Sequence, residues 1–124
     1  MRILSARVHG YFDFLVVAIF VLGPITFGLG GTAALISYLL AVALVVLILM
    51  TRYPFGVVKS IPLIAHGLIE LAVAIFCVLL PYLAGYSPGS PAKRFYVTMA
   101  AIIFIVWLLT DYRGTESHIP QEKP

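Results

Sequence analysis

Four apolar runs, over residues 11–29, 33–51, 64–85 and 95–111, take up most of this 124-residue chain and set what it can fold into. About 20 predominantly apolar residues in a helix span the roughly 30 Å hydrocarbon core of a bilayer, and each run is close to that length. Only 10% of the residues are charged, 62% are hydrophobic and the mean hydropathy is +1.09. A soluble domain carries about 25% charged residues, and a chain this small is mostly surface, so it has no aqueous core large enough for these side chains. Lipid is the solvent that the composition requires. The expected fold class is an all-α integral membrane protein with four transmembrane helices, and the lipid bilayer is its first partner.

Breakers divide the runs into two hairpins. Gly28-Leu29-Gly30-Gly31 is a tight connection between the first two, and residues 85–91, rich in Gly, Ser and Pro, join the last two. Between the hairpins, residues 52–63 hold Pro54, Gly56 and Pro62, which predicts irregular structure in the membrane interface. A four-helix transmembrane domain over 1–114 follows, with a polar, proline-punctuated tail over 115–124 that reads as disordered and contains His118.

The two hairpins resemble one another. His9-Gly10-Tyr11-Phe12-Asp13 returns 57 positions later as His66-Gly67-Leu68-Ile69-Glu70, and a proline follows each acid at the same distance, Pro24 and Pro81. The endings Met50-Thr51-Arg52-Tyr53 and Leu109-Thr110-Asp111-Tyr112 also correspond. Units of about 8–53 and 65–112 each contain two crossings, so the second starts on the same side as the first. The expectation is two parallel helical-hairpin repeats about a pseudo-twofold along the membrane normal, unlike the inverted repeats of many transporters. Tyr53 and Tyr112 then belong at one headgroup layer, Tyr82 and Tyr86 at the other.

The net charge of +3 is arranged as topology. Arg2, Arg7, Arg52, Lys59, Arg113 and Lys123 lie on the side of the termini, against only Lys93 and Arg94 opposite. The positive-inside rule puts both termini in the cytoplasm. The basic start of the first run resembles a signal peptide, but Asp13 inside the run and its likeness to the third run favour a retained helix. Cys77 has no second cysteine to pair with and reads as a small packing residue. Ala33, Ser37 and Ala41 form a small-residue ladder that lets helices approach closely, either between the two hairpins or in a homo-oligomer. Nothing in the chain resembles an aromatic-interleaved nucleic-acid surface.

Chemistry concentrates in four residues. His9 and Asp13 share a helix face, as do His66 and Glu70, and helical side chains lean toward the N-terminus. Three readings arise. In the first, each acid pairs locally with its own histidine and favours the positive end of its helix. In the second, the pairs handle protons or ions. In the third, the four groups meet as a site for zinc, iron or manganese, or the histidines hold haem. An acid inside a membrane segment is a functional candidate by default. Gly10 and Gly67, beside the histidines, mark close packing, and Pro24 and Pro81 mark helix ends.

Around Leu80-Pro81-Tyr82 and Gly23-Pro24-Ile25 the chain resembles the SPW-repeat membrane proteins, in which each repeat is a pair of membrane helices with a Ser-Pro-Trp signature at the end of the first. Only the proline of that signature stands in both places here. The resemblance spans nearly the whole chain as architecture and implies two hairpins in a prokaryotic plasma membrane, with no activity or catalytic residue attached. The functional expectation is a small non-enzymatic membrane protein with a structural or interaction role and no catalytic residue, metal or cofactor assigned. The alternative is a metal- or cofactor-binding or proton-coupled transport protein that uses His9, Asp13, His66 and Glu70. The topology has a direct check. A fluorescent reporter that matures only in the cytoplasm should be bright when fused after Pro124, and activity there of a reporter that folds only outside would reverse the orientation.

Overall fold

A computed structural model describes residues 3–52 and 54–110 of the chain. The expected tail over 115–124, Tyr53, Tyr112 and the charges at Arg2, Arg113 and Lys123 lie outside the described residues. The protein is all-helical, with α1 (Ala6–Thr26), α2 (Gly31–Leu49), α3 (Leu63–Leu83) and α4 (Pro91–Leu109). All four are long and apolar enough to cross a membrane. α1 and α4 begin four or five residues earlier than their apolar runs because serine caps, not hydropathy, start them. Ser5 accepts a hydrogen bond from the Val8 amide and Ser90 accepts one from the Lys93 amide. The earlier start places Arg7 and His9 inside α1, and Lys93 and Arg94 inside α4.

The ends of α1 and α3 are built alike. Pro24 and Pro81 lie inside the helices, two residues before the last, and do not stop them. Gly28 and Gly85 stop them, with φ of 71° and 74°. The amides of Leu29 and Tyr86 return to the carbonyls of Pro24 and Pro81, each at 2.9 and 2.8 Å respectively, the closure that a left-handed glycine permits.

Packing follows the chain. α1 lies along α2 and α3 along α4, and α1 also meets α4. The interior of the bundle holds Phe20, Cys77, Tyr96 and Met99, all fully or almost fully buried. Cys77 is thus a packing residue, as expected. The ladder of Ala33, Ser37 and Ala41 is turned inward. Ser37 Oγ donates to the Phe20 carbonyl and the Tyr96 hydroxyl to the Ala33 carbonyl, both at 2.6 Å. That face is already used within the chain, so a second copy would have to meet another. Large side chains such as Leu15, Val42, Leu68 and Leu83 point outward, as a lipid-facing surface requires.

The last turns of α2 and α4 expose carbonyls that have no partner inside their helices. Extended segments supply donors. The connection between hairpins folds back so that Val57 and Val58 donate to Leu49 at 2.7 and 2.9 Å, and Ile61 donates to Met50 at 2.8 Å. The segment before α1 does the same for α4, with Leu4 donating to the Leu109 carbonyl at 2.9 Å. Phe55 of the connection covers Gly10, where any β-carbon would collide with its ring. Gly10 is thus a packing glycine. Each of Gly28→Ala and Gly85→Ala should cost about 1 kcal/mol from left-handed strain, and the pair should add. Unfolding in mixed detergent micelles measures this.

Candidate metal centre

His9 and His66 occupy the first turns of α1 and α3, and Asp13 and Glu70 follow one turn deeper. The four are buried, both histidines completely. The sequence placed each acid beside its own histidine. In the structure each acid serves both. His9 Nε2 lies 3.0 Å from Asp13 Oδ1 and 2.8 Å from Glu70 Oε1. His66 Nε2 lies 3.0 Å from Asp13 Oδ2 and 2.9 Å from Glu70 Oε2. Imidazole and carboxylate alternate around a closed ring, and one ligand atom from each residue can be chosen so that all lie within 4.8 Å of one another. The imidazole planes are nearly perpendicular, at 75° with centroids 5.6 Å apart. All four candidates from the sequence therefore meet in one place.

Two further residues hold the imidazoles, and sequence reasoning passed over both. His9 Nδ1 is 2.7 Å from Thr110 Oγ1, and His66 Nδ1 is 2.7 Å from Thr51 Oγ1. Thr51 Oγ1 gives its own hydrogen to the Leu47 carbonyl at 2.6 Å, and Thr110 Oγ1 gives its hydrogen to the Val106 carbonyl at 2.7 Å. Toward the imidazoles these hydroxyls can only accept. Nδ1–H is therefore the donor in both histidines, and Nε2 is the atom that faces the carboxylates.

This fixes what the ring needs. An Nε2 lone pair and a carboxylate oxygen at 2.8–3.0 Å repel unless a positive centre lies between them. That centre is a proton on nitrogen or a metal ion held by nitrogen and oxygen together. Two imidazoles and two carboxylates form a mixed nitrogen and oxygen set suited to a first-row divalent ion rather than to a soft cuprous ion. The threonines act as the outer partners that such histidines require, fixing tautomer and ring orientation. Haem fits poorly, because the two Nε2 atoms face a shared pair of carboxylates with all these atoms within 4.8 Å, leaving no room for a porphyrin between them.

The bracing crosses between hairpins. His9 in α1 is held from the end of α4, and His66 in α3 from the end of α2. The adjoining backbone crosses too, with short parallel bridges pairing Leu4 with Thr110 and Thr51 with Ile61. The corresponding endings around Thr51 and Thr110 carried the signal for this. A threonine at the same place in both, just where a helix ends near the histidine level, is a hydroxyl able to serve an imidazole.

The chain matches no family model, no curated protein and no solved structure among those compared.

Thr51→Val should leave the buried Nδ1–H of His66 without an acceptor and lower stability by about 1–3 kcal/mol, while Thr51→Ser should retain most of it. Thr110→Val and Thr110→Ser should repeat the pattern at His9. Denaturation midpoints of the purified protein in detergent compare the four variants.

Proposed function

We propose that this protein is a small multi-pass membrane protein that binds one divalent transition-metal ion between its two hairpins. The carrying observation is the inward-facing ring of His9, Asp13, His66 and Glu70, with each Nε2 within 3.0 Å of two carboxylates and each Nδ1 occupied by a threonine. Two neutral imidazoles with two carboxylates carry two negative charges, so a divalent ion makes the buried cluster neutral. Neutrality matters where the surroundings are hydrocarbon, because an uncompensated charge there costs several kcal/mol. Zn²⁺, Fe²⁺ and Mn²⁺ are all compatible with the donor set, with affinity rising from Mn²⁺ through Fe²⁺ to Co²⁺.

The ion is resident rather than cargo in this reading. The four donors sit near one end of the bundle, and the next layer inward is apolar, with Val16 and Leu44 buried there. Such a layer holds an ion in place instead of passing it across. The charge distribution along the sequence supports a site on the cytoplasmic side with both termini there, and the resemblance to SPW-repeat proteins supports a prokaryotic plasma membrane. The correspondence at 57 positions supports descent of the two hairpins from one unit, and the architecture of the SPW-repeat proteins is compatible with it. The structural role and the metal are then one function: the ion ties the two hairpins together.

Equilibrium dialysis of the metal-stripped protein in detergent against Mn²⁺, Fe²⁺, Co²⁺ and Zn²⁺ tests the proposal. One ion per chain should bind in each case, tightest among the first three for Co²⁺. His9→Ala and Glu70→Gln should abolish it. Binding that is absent, or that survives both substitutions, would overturn the reading.

A further inference from the structure

Just inward of the ring, between the four helices, lies a small, partly open chamber. Asp13 and Glu70 form its polar wall, and apolar side chains from all four helices form the rest, among them Val16, Leu44, Val73 and Ile103. It leaves about 10 Å³ for the centre of a water-sized sphere, room for about one such molecule. Building on the metal-binding reading, we infer that the centre keeps a coordination position open toward this chamber, for one small neutral ligand such as water or a diatomic gas.

Three features support this. The donor groups form a closed ring, in which each imidazole is flanked by both carboxylates. The carboxylates lie a turn deeper than the imidazoles and are the residues that the ring shares with the chamber. Among the described residues, no side chain in the chamber wall other than these two can coordinate a metal. A metal site saturated by protein would have its inward face closed by a further ligand or by packed side chains. Here it is met by a space of one molecule. Four protein donors close a tetrahedral zinc site, whereas Fe²⁺ and Mn²⁺ accept further ligands and so keep a position free beside the same four.

The wall also selects. A weakly hydrated neutral molecule loses little on leaving water, and a water molecule recovers hydrogen bonds from the two carboxylates. An anion would give up its hydration for an apolar wall and an ion whose charge those carboxylates already balance. The class of ligand is therefore small, uncharged and able to donate a lone pair to the metal. Water meets that description, as do dioxygen and nitric oxide. Cyanide and azide as anions do not.

Nitric oxide is the probe. The full-length protein is loaded anaerobically with Fe²⁺ in detergent, its iron content is measured, and nitric oxide is added while the electron paramagnetic resonance spectrum is recorded. The expected result is a half-integer-spin iron–nitrosyl signal in the wild type. Val16→Ile or Val73→Ile adds one methylene to the chamber from either hairpin. Each should cut the signal at least tenfold while iron is retained. Iron-free wild-type protein would defeat the metal-binding reading itself. Iron-loaded protein with no nitrosyl signal would defeat only the open position. A signal of equal size in both iron-loaded valine variants would likewise overturn it, because the ligand would then be bound elsewhere. Loss of iron from both variants would overturn it too, since the chamber would then be part of the ion's own packing.

Discussion

A carboxylate inside hydrocarbon needs a positive partner, and this protein contains two of them in a space where each is answered by two imidazoles. On insertion scales an acid at the centre of a membrane helix costs about 2.5–3.5 kcal/mol. Asp13 and Glu70 lie nearer the helix starts, where the cost is smaller, but they are buried in protein rather than open to water. Neither histidine alone could satisfy both oxygens of its neighbouring acid. The closed ring does so once a proton or a metal ion lies between nitrogen and oxygen, and it can close only if α1 and α3 bring their first turns together. The meeting of the two hairpins is therefore a condition of burying the acids.

The threonines extend that condition to α2 and α4. Each imidazole has one nitrogen in the ring and one against a hydroxyl, and each hydroxyl is anchored by the carbonyl one turn before it. The backbone around the threonines is in turn tied down by the extended segments that lead into the helices bearing the histidines. Ile61 is thereby joined to His66 through Thr51, by one backbone bridge and one hydrogen bond. Deeper in the bundle the packing is conventional for a membrane protein, with Ser37 and Tyr96 returning their hydroxyls to helix carbonyls and small residues letting the helices approach.

Much of this was legible in the sequence. Hydropathy located four helices to within a few residues, because lipid leaves a chain few ways to satisfy its backbone. The ends were less accurate, since caps such as Ser5 and Ser90 act locally and lie outside the apolar runs. The pairs His9–Asp13 and His66–Glu70 were visible as a histidine and an acid repeated at the entrance of the first and third runs. Their convergence was not, because helical spacing fixes which residues share a face but not which faces meet. Thr51 and Thr110 were harder still. A hydroxyl gains its role only from the imidazole across from it, and that imidazole is 101 residues away in one case. The small ladder on α2 was correctly seen as a close-packing face, and its burial shows that the contact is made inside the chain.

The crossed bracing has a consequence for biogenesis. When the first hairpin leaves the ribosome and reaches the membrane, Asp13 has only His9 for company, and the hydroxyl that will hold His9 has not yet been synthesised. Thr110 is the residue that caps the end of α4, the last helix. The site near the beginning of the chain is thus completed by its end. A protein truncated within α4, or one whose second hairpin failed to insert, would be left with an unbraced histidine and incompletely shielded acids in the bilayer. Such a chain would carry the energetic cost of its buried acids without the partners that offset it, so the stability of the first hairpin depends on the second.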